Sequence, residues 1–298
     1  MNASGHNATI LVGVDASGRS DAAIVAAFRL AASTPAAVEL VHATDIPHHF
    51  WAHVDEVGVA AARDAALQRI ARLLEREKLP TLDPATQMIV SAGTAAEALL
   101  GRAKERNARL IVLGPHRREG ALDFGNTVRA VTAKSTCPVW VQSGDVRPIR
   151  RILCAIDLAP GSLETLTLAR DFARTLGAEL TALHCFVRPE LGLVLGYPVP
   201  FPAQVVDTAR ESAQRALRHL LEPFDWRGVA HRTQFVEGDP ALEILDAARE
   251  ADLIVIGTHA RTALAHALVG SVTAGVLRGA RVPVLVQRTA VASDGAGA

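Results

Sequence analysis

A chain of 298 residues is long enough for two ordinary domains, and 49% hydrophobic against 21% charged residues is a globular balance, not a disordered one. Lysine plus arginine equals aspartate plus glutamate, 31 each, which argues against a bulk electrostatic grip on nucleic acid or anionic membrane. No apolar run approaches the ~20 residues of a membrane span. The N-terminal MNASGHNATI lacks a basic stretch followed by an apolar one, and Cys137, Cys154 and Cys185 form no Cys-x-x-Cys, so a cytoplasmic, reducing setting fits best. Aromatics make up only 4%, leaving Ala, Val, Leu and Ile to fill the core.

In chain order, Thr9 to Asp15 (TILVGVD) is an apolar strand ending in a carboxylate, followed by a loop Ala16–Ser20 and an alanine-rich helix from about Asp21 to Ser33. Val38–Ala43 is a second strand. After a loop with histidines and aromatics, Asp55 to Lys78 has the periodicity of a long amphipathic helix. Gln87–Val90 is a third strand, Ala95–Arg106 a helix, and Leu110–Leu113 a fourth strand stopped by Gly114. Thr127–Ser135 is a helix, and Pro138–Val141 closes the half.

The same order then begins again. Arg151–Asp157 repeats the first strand with its terminal Asp, and Ala159-Pro160-Gly161-Ser162 repeats the loop. Glu179–His184 answers Glu39–His42, Gly238 answers Gly93, Leu253–Gly257 answers Leu110–Gly114, and Val282-Pro283-Val284 answers Cys137-Pro138-Val139. The offset drifts only from 142 at Asp15/Asp157 to 145 at Pro138/Pro283, which marks an internal duplication. Alternation of strand and helix in each copy predicts a parallel, doubly wound sheet that binds ligands outside the strands' carboxyl ends. The expected units are 1–142 and 150–288, with a turn-forming linker at 143–149 and a disordered tail at 289–298.

The most informative stretch is Leu253–Gln287. A buried strand, Leu253–Ile256, stops at Gly257. About a dozen residues later, Gly270-Ser271 precedes VTAGVLRGA, whose apolar residues recur at helical spacing. Ser271 is a natural helix cap. A helix start offers unpaired N–H groups and the positive end of its dipole, and glycine lets backbone approach a ligand closely. Anion binding is one reading; glycines that merely turn the chain are the other. No Gly-Lys-Ser/Thr follows, so this is not a Walker-type loop.

VDASGRS, IDLAPGS, DLIVIGTHA and LVGSVTAGVLRGARVPVLVQ together make the sequence similar to tandem universal stress proteins over both halves. The resemblance implies an α/β chain of two tandem Rossmann-like domains, each a five-stranded open parallel sheet with helices on both faces. It implies ATP binding through Gly-x2-Gly-x9-Gly-Ser/Thr, with the Asp after the first strand contacting the nucleoside, although relatives of similar fold lack the motif. The second half matches with Gly257, Ala260 and Gly270-Ser271, and departs at Ala260, where the family has glycine. That methyl weakens the site by about 1 kcal/mol if positive φ is needed there. In the first half Arg117 replaces the second glycine, and Gly125-Asn126 arrives two residues early. One competent or weakened site for ATP, possibly with Mg2+, is therefore expected in the second half, and a degenerate one in the first.

The residues carried over are Asp157, accepting from ribose or adenine; Cys185, touching adenine through its backbone; Gly257 and Ala260 along the phosphates; and Gly270, Ser271 and Val272, offering N–H groups. A loop-capping role is the alternative for Asp157. His48, His49 and His53, near Asp45, Asp55 and Glu56, suggest a solvated loop more than a metal site. His42 and His184, each ending a second strand, point to a shared structural role. The apolar, proline-rich loop Phe186–Pro202 covers the pocket, packs on the other half or forms a subunit contact. Val139–Val141 and Val284–Val286 are expected sheet edges, and the resemblance implies edge pairing between domains or in a homodimer. No catalytic constellation is legible. A nucleotide-binding regulator is the first reading, with a nucleotide-free scaffold and a weak ATPase as its rivals.

Overall fold

The computed structural model describes residues 8–15, 18–44, 56–80, 88–114, 125–194, 197–200, 202–258 and 269–289. The first half runs β1 (Ala8–Gly13), α1 (Asp21–Ala32), β2 (Ala36–Ala43), α2 (Glu56–Arg76), β3 (Met88–Ser91), α3 (Ala95–Arg106), β4 (Leu110–Leu113), α4 (Asn126–Lys134) and β5 (Val139–Val141). The second half runs β6 (Arg151–Ile156), α5 (Ser162–Leu176), β7 (Glu179–Phe186), a hairpin of β8 (Glu190–Val194) and β9 (Tyr197–Pro200), and α6 (Ala203–Leu221). It continues with β10 (His231–Glu237), α7 (Pro240–Ala247), β11 (Leu253–Thr258), α8 (Ser271–Gly279) and β12 (Val284–Arg288). Local chemistry sets the helix ends. Thr94 and Glu97 close a reciprocal capping box on α3, and Asp239 caps α7 ahead of Pro240. Asn107 and Gly177 stop α3 and α5 in the left-handed conformation.

Ten strands form one sheet in the order β10-β7-β6-β11-β12-β5-β4-β1-β2-β3. Each half contributes five parallel strands in the same order, third-second-first-fourth-fifth, so the α/β expectation holds. The chain reverses its spatial order between β6 and β11, which is where such sheets open a crevice. One expectation is met and another needs correcting. The last strand of each half ends that half's own five-stranded set. β5 and β12 pair antiparallel within the chain, with Leu285 opposite Trp140, which is the edge pairing between domains that the resemblance implied and which places both at the middle of the ten-stranded sheet. They are apolar on both faces because helices cover both. The segment Phe186–Pro202 is not simply a loop, because it contains the antiparallel hairpin β8–β9.

The antiparallel junction turns the halves end for end, so their strands' carboxyl ends point to opposite margins of the sheet. The two core layers nonetheless run through both halves. One joins α1, α2, α5 and α6 through Ile24, Ile70, Leu166, Leu217, Trp140 and Leu285. The other joins α3, α4, α7 and α8 through Leu99, Val131, Ile244, Val276, Val139 and Val286. Each fully buried aliphatic side chain contributes about 1.5–3 kcal/mol, so the junction is part of the core. Trp140 packs 6.2 Å from the Phe172 ring of the second half and donates its indole N–H to Gln142 Oε1 at 2.9 Å. Among the described residues no helix is long and apolar enough to cross a membrane. The His48, His49 and His53 cluster and the tail beyond Thr289 lie outside the described residues.

Candidate functional site

At the carboxyl ends of β6, β7 and β11, facing the start of α8, lies a cavity of about 380 Å³. Asp157, Cys185, Gly257, Gly270, Ser271 and Val272 all line it, so six residues singled out on three strands and one helix come together. Ala260 lies outside the described residues. Ser162, Thr165, His184 and Thr273 complete much of the polar wall, and Ile244, Leu183 and Val187 supply apolar surface.

Asp157 follows β6 and is exposed. Its Oδ1 accepts from the Ala159 N–H at 3.1 Å and from the Ser162 hydroxyl at 2.8 Å. The first half repeats this arrangement: Asp15 Oδ1 accepts from the Ser20 N–H at 3.1 Å and the Ser20 hydroxyl at 2.9 Å. A loop-capping role is therefore real for both carboxylates, and Asp157 has it while lining the cavity. His184 is buried, with Nδ1 2.8 Å from Ile156 O, and His42 stands likewise 2.8 Å from Val14 O. A carbonyl only accepts, so Nδ1 carries the proton in each ring. The paired histidines tie the second strand to the end of the first, the shared structural role expected of them.

The Cys185 thiol donates to Gly238 O at 3.4 Å. Burial first, and then the nearby Glu243 and Asp239 carboxylates, raise its pKa from an ordinary 9.0 to about 11. Only the thiolate is nucleophilic. At pH 8 Cys185 should therefore react with iodoacetamide roughly 100-fold more slowly than an unperturbed thiol, and about tenfold faster for each pH unit gained up to pH 10. Peptide mass spectrometry checks this, and labelling at pH 8 as fast as a free thiol would contradict it.

Glycine is needed at 257 for space. A Cβ there would sit 2.8 Å from Thr165 Oγ1. Gly270 differs: among the described residues a Cβ would meet nothing within 4 Å, and φ −56°, ψ 151° suits any residue. Gly270 lines the cavity without a side chain to fill it. Gly270, not Ser271, is the cap of α8, and Ser271 is the first helical residue with its side chain exposed. The first intrahelical bond runs from Ala274 N–H to Gly270 O at 2.9 Å. The N–H groups of Ser271, Val272 and Thr273 thus precede the helical ladder, at the positive end of the dipole, with no acidic residue in that turn.

Thr273, absent from the expected set, fixes that helix start. Its buried hydroxyl donates to Gly257 O at 3.1 Å, joining α8 to the end of β11. The equivalent residue in the first half is Val128, which has no hydroxyl. That one apolar-to-hydroxyl difference inside a matching helical stripe was the available signal. The first half diverges further at Gly125, whose φ of 87° enters α4 through a conformation suited to glycine. Its loop with Arg117 lies outside the described residues.

No lysine or arginine belongs to the described lining; what these residues offer an anion is the backbone N–H groups and the α8 dipole. A larger open groove, about 1440 Å³, follows the linker between the halves. Its arginines are largely engaged, Arg29 with Glu77, Arg147 with Asp145, Arg151 with Asp252 and Arg249 with Asp246. The smaller cavity has the better-organised polar groups.

The profile described as the Universal stress protein family matches residues 6–142 and again 148–288. A universal stress protein of Mycolicibacterium smegmatis is 29% identical over 296 residues, covering 94% of this chain and 96% of the relative. One from Methanocaldococcus jannaschii is 34% identical over 145 residues, covering 46% of this chain and 81% of the relative. Among solved structures, a universal stress protein from Archaeoglobus fulgidus superposes with a TM-score of 0.65 at 17% identity, covering 94% of this chain and 96% of the other. A protein of Pseudomonas aeruginosa described as functionally unknown gives the same score at 19% identity, with 94% and 92% covered. At such identities the structures speak for the fold alone; the two profile matches speak for descent. The chain belongs to the universal stress protein family and carries two of its domains in tandem.

Proposed function

We propose that the second half binds one adenine nucleotide, ATP, and that the chain acts as a nucleotide-dependent regulator and not as an enzyme. The observation that carries this reading is the start of α8, open at Gly270, facing Asp157 and Gly257 across a single cavity. Its volume of about 380 Å³ falls within the range of small-molecule sites, roughly 300–1,000 Å³. In this reading the N–H groups of Ser271 and Val272 take phosphate oxygens, Gly257 and Ala260 flank the phosphates, Asp157 accepts from the nucleoside, and Cys185 borders the base. The first half, 1–142, lacks the pattern and is left empty; the linker 143–149 joins it to the competent half, 150–288. A cytoplasmic setting and assembly of two chains accompany the reading.

A scaffold that binds no nucleotide is the second reading, favoured by the engagement of the Asp157 carboxylate with its own loop. Isothermal titration with Mg-ATP, paired with native mass spectrometry of the purified chain, separates the two. One site per chain is expected. Two equal sites would contradict the inequality of the halves, and no heat with an empty protein would establish the scaffold. Phosphate release above background, lost when Gly270 is changed, would make the chain an ATPase.

A further inference from the structure

Thr132, Thr165, Thr175 and Thr208 each return the hydroxyl to their own helix, donating to the carbonyl four residues back. Thr273, in the first turn of α8, does otherwise: its hydroxyl crosses to Gly257 O of β11 at 3.1 Å. The ladders around β11 show what that carbonyl lacks. Ile254 N–H donates to Pro283 O at 3.0 Å and Thr289 N–H to Thr258 O at 3.3 Å. Alternate residues of a parallel strand bond to a given neighbour, so the even-numbered residues of β11 face β12, and Val255 and Gly257 turn toward β6. By then β6 is leaving the ladder, whose last pair is Ala155 with Ile256. Gly257 O therefore points into the crevice where the strand order reverses, beside the cavity that Gly257 and Thr273 both line.

We infer that Thr273 is a positioning residue for a bound anion, acting through Gly257 O and the start of α8; this rests on the nucleotide reading of the cavity. A carbonyl oxygen carries partial negative charge. Left bare in the crevice, it would oppose a phosphate close to where the N–H groups of Ser271 and Val272 attract one. The Thr273 hydroxyl occupies that oxygen and at the same time ties the helix start to the strand end. The side chain is 3% exposed, so the bond is little weakened by water. Packing does not demand the hydroxyl. Its counterpart in α4 is Val128, 2% exposed, in the same apolar layer that α8 joins through Val276 and Leu277. The helix thus seats on the sheet with valine in one half, and what threonine adds in the other is felt at the cavity.

Thr273→Val replaces the hydroxyl with a methyl and supplies the residue that the first half already uses. Isothermal titration of the full chain with adenosine and with Mg-ATP, beside thermal unfolding, reads the result. Thr273→Val should bind Mg-ATP about tenfold more weakly than the parent and adenosine within about twofold. Thr273→Ser keeps the hydroxyl and should bring Mg-ATP affinity back to within about threefold of the parent. Equal losses for adenosine and Mg-ATP would make Thr273 structural only. Undiminished Mg-ATP affinity in Thr273→Val, or no recovery in a folded Thr273→Ser, would also overturn the assignment. Should Thr273→Val unfold, Thr273→Ala set against Thr273→Ser gives the same comparison. A parent that binds neither compound refutes the nucleotide reading and this inference with it, whereas a parent that binds beside an unaffected Thr273→Val refutes the inference alone.

Discussion

Replacing Gly270 with valine should abolish most nucleotide affinity while leaving the fold intact. Among the described residues the new Cβ meets no atom within 4 Å, and the backbone angles suit valine, so the described core has little to lose. An unfavourable cap residue costs about 1 kcal/mol or less. The isopropyl group instead occupies the space in front of the α8 N–H groups, where the phosphates are proposed to sit. Overpacking of a filled site typically costs about 1–3 kcal/mol, or roughly 5- to 150-fold in affinity. Isothermal titration gives the affinity and thermal unfolding the stability. Unchanged affinity would place the ligand elsewhere.

The largest effect on stability should come from Trp140→Ala. Trp140 is 2% exposed, lies on β5 opposite Leu285 of β12, and packs on Phe172 from the other half. Truncating such a side chain costs about 3–5 kcal/mol. It also removes the indole N–H that Gln142, itself fully buried, accepts beside the linker. The loss falls on the contact between halves, so one cooperative unfolding transition should separate into two. Calorimetry reads this directly; a single transition with unchanged midpoint would mean that the halves are coupled elsewhere.

Much of the fold was legible because its signals are local. Leu110–Leu113 is an apolar run closed by glycine, Ala95–Arg106 has helical spacing behind Thr94, and both elements have the boundaries expected. The candidate site was legible because its residues punctuate strand ends: Asp157 after β6, Cys185 one residue before the end of β7, Gly257 one residue before the end of β11. Other features were less legible. That β5 meets β12 rests on contacts between residues about 145 positions apart, which periodicity does not report and which only the family resemblance implied. Yet Val139-Trp140-Val141 has no polar face, a hint that it lies inside a sheet. Pro198 and Pro200 suggested a loop, although an isolated two-stranded hairpin tolerates proline at its edges. Gly270 and Ser271 both suit a cap, and only the backbone angles identify Gly270. Thr273 was marked only by its difference from Val128, because its value lies in a hydrogen bond across sixteen residues.

The head-to-tail reversal at β5 and β12 also bears on how the two copies aged. The carboxyl ends of the two sets of strands face opposite ways, and every described residue that lines the second half's cavity belongs to that half. A substitution at that cavity therefore replaces no described residue of the first copy, and the two copies need not have changed in step.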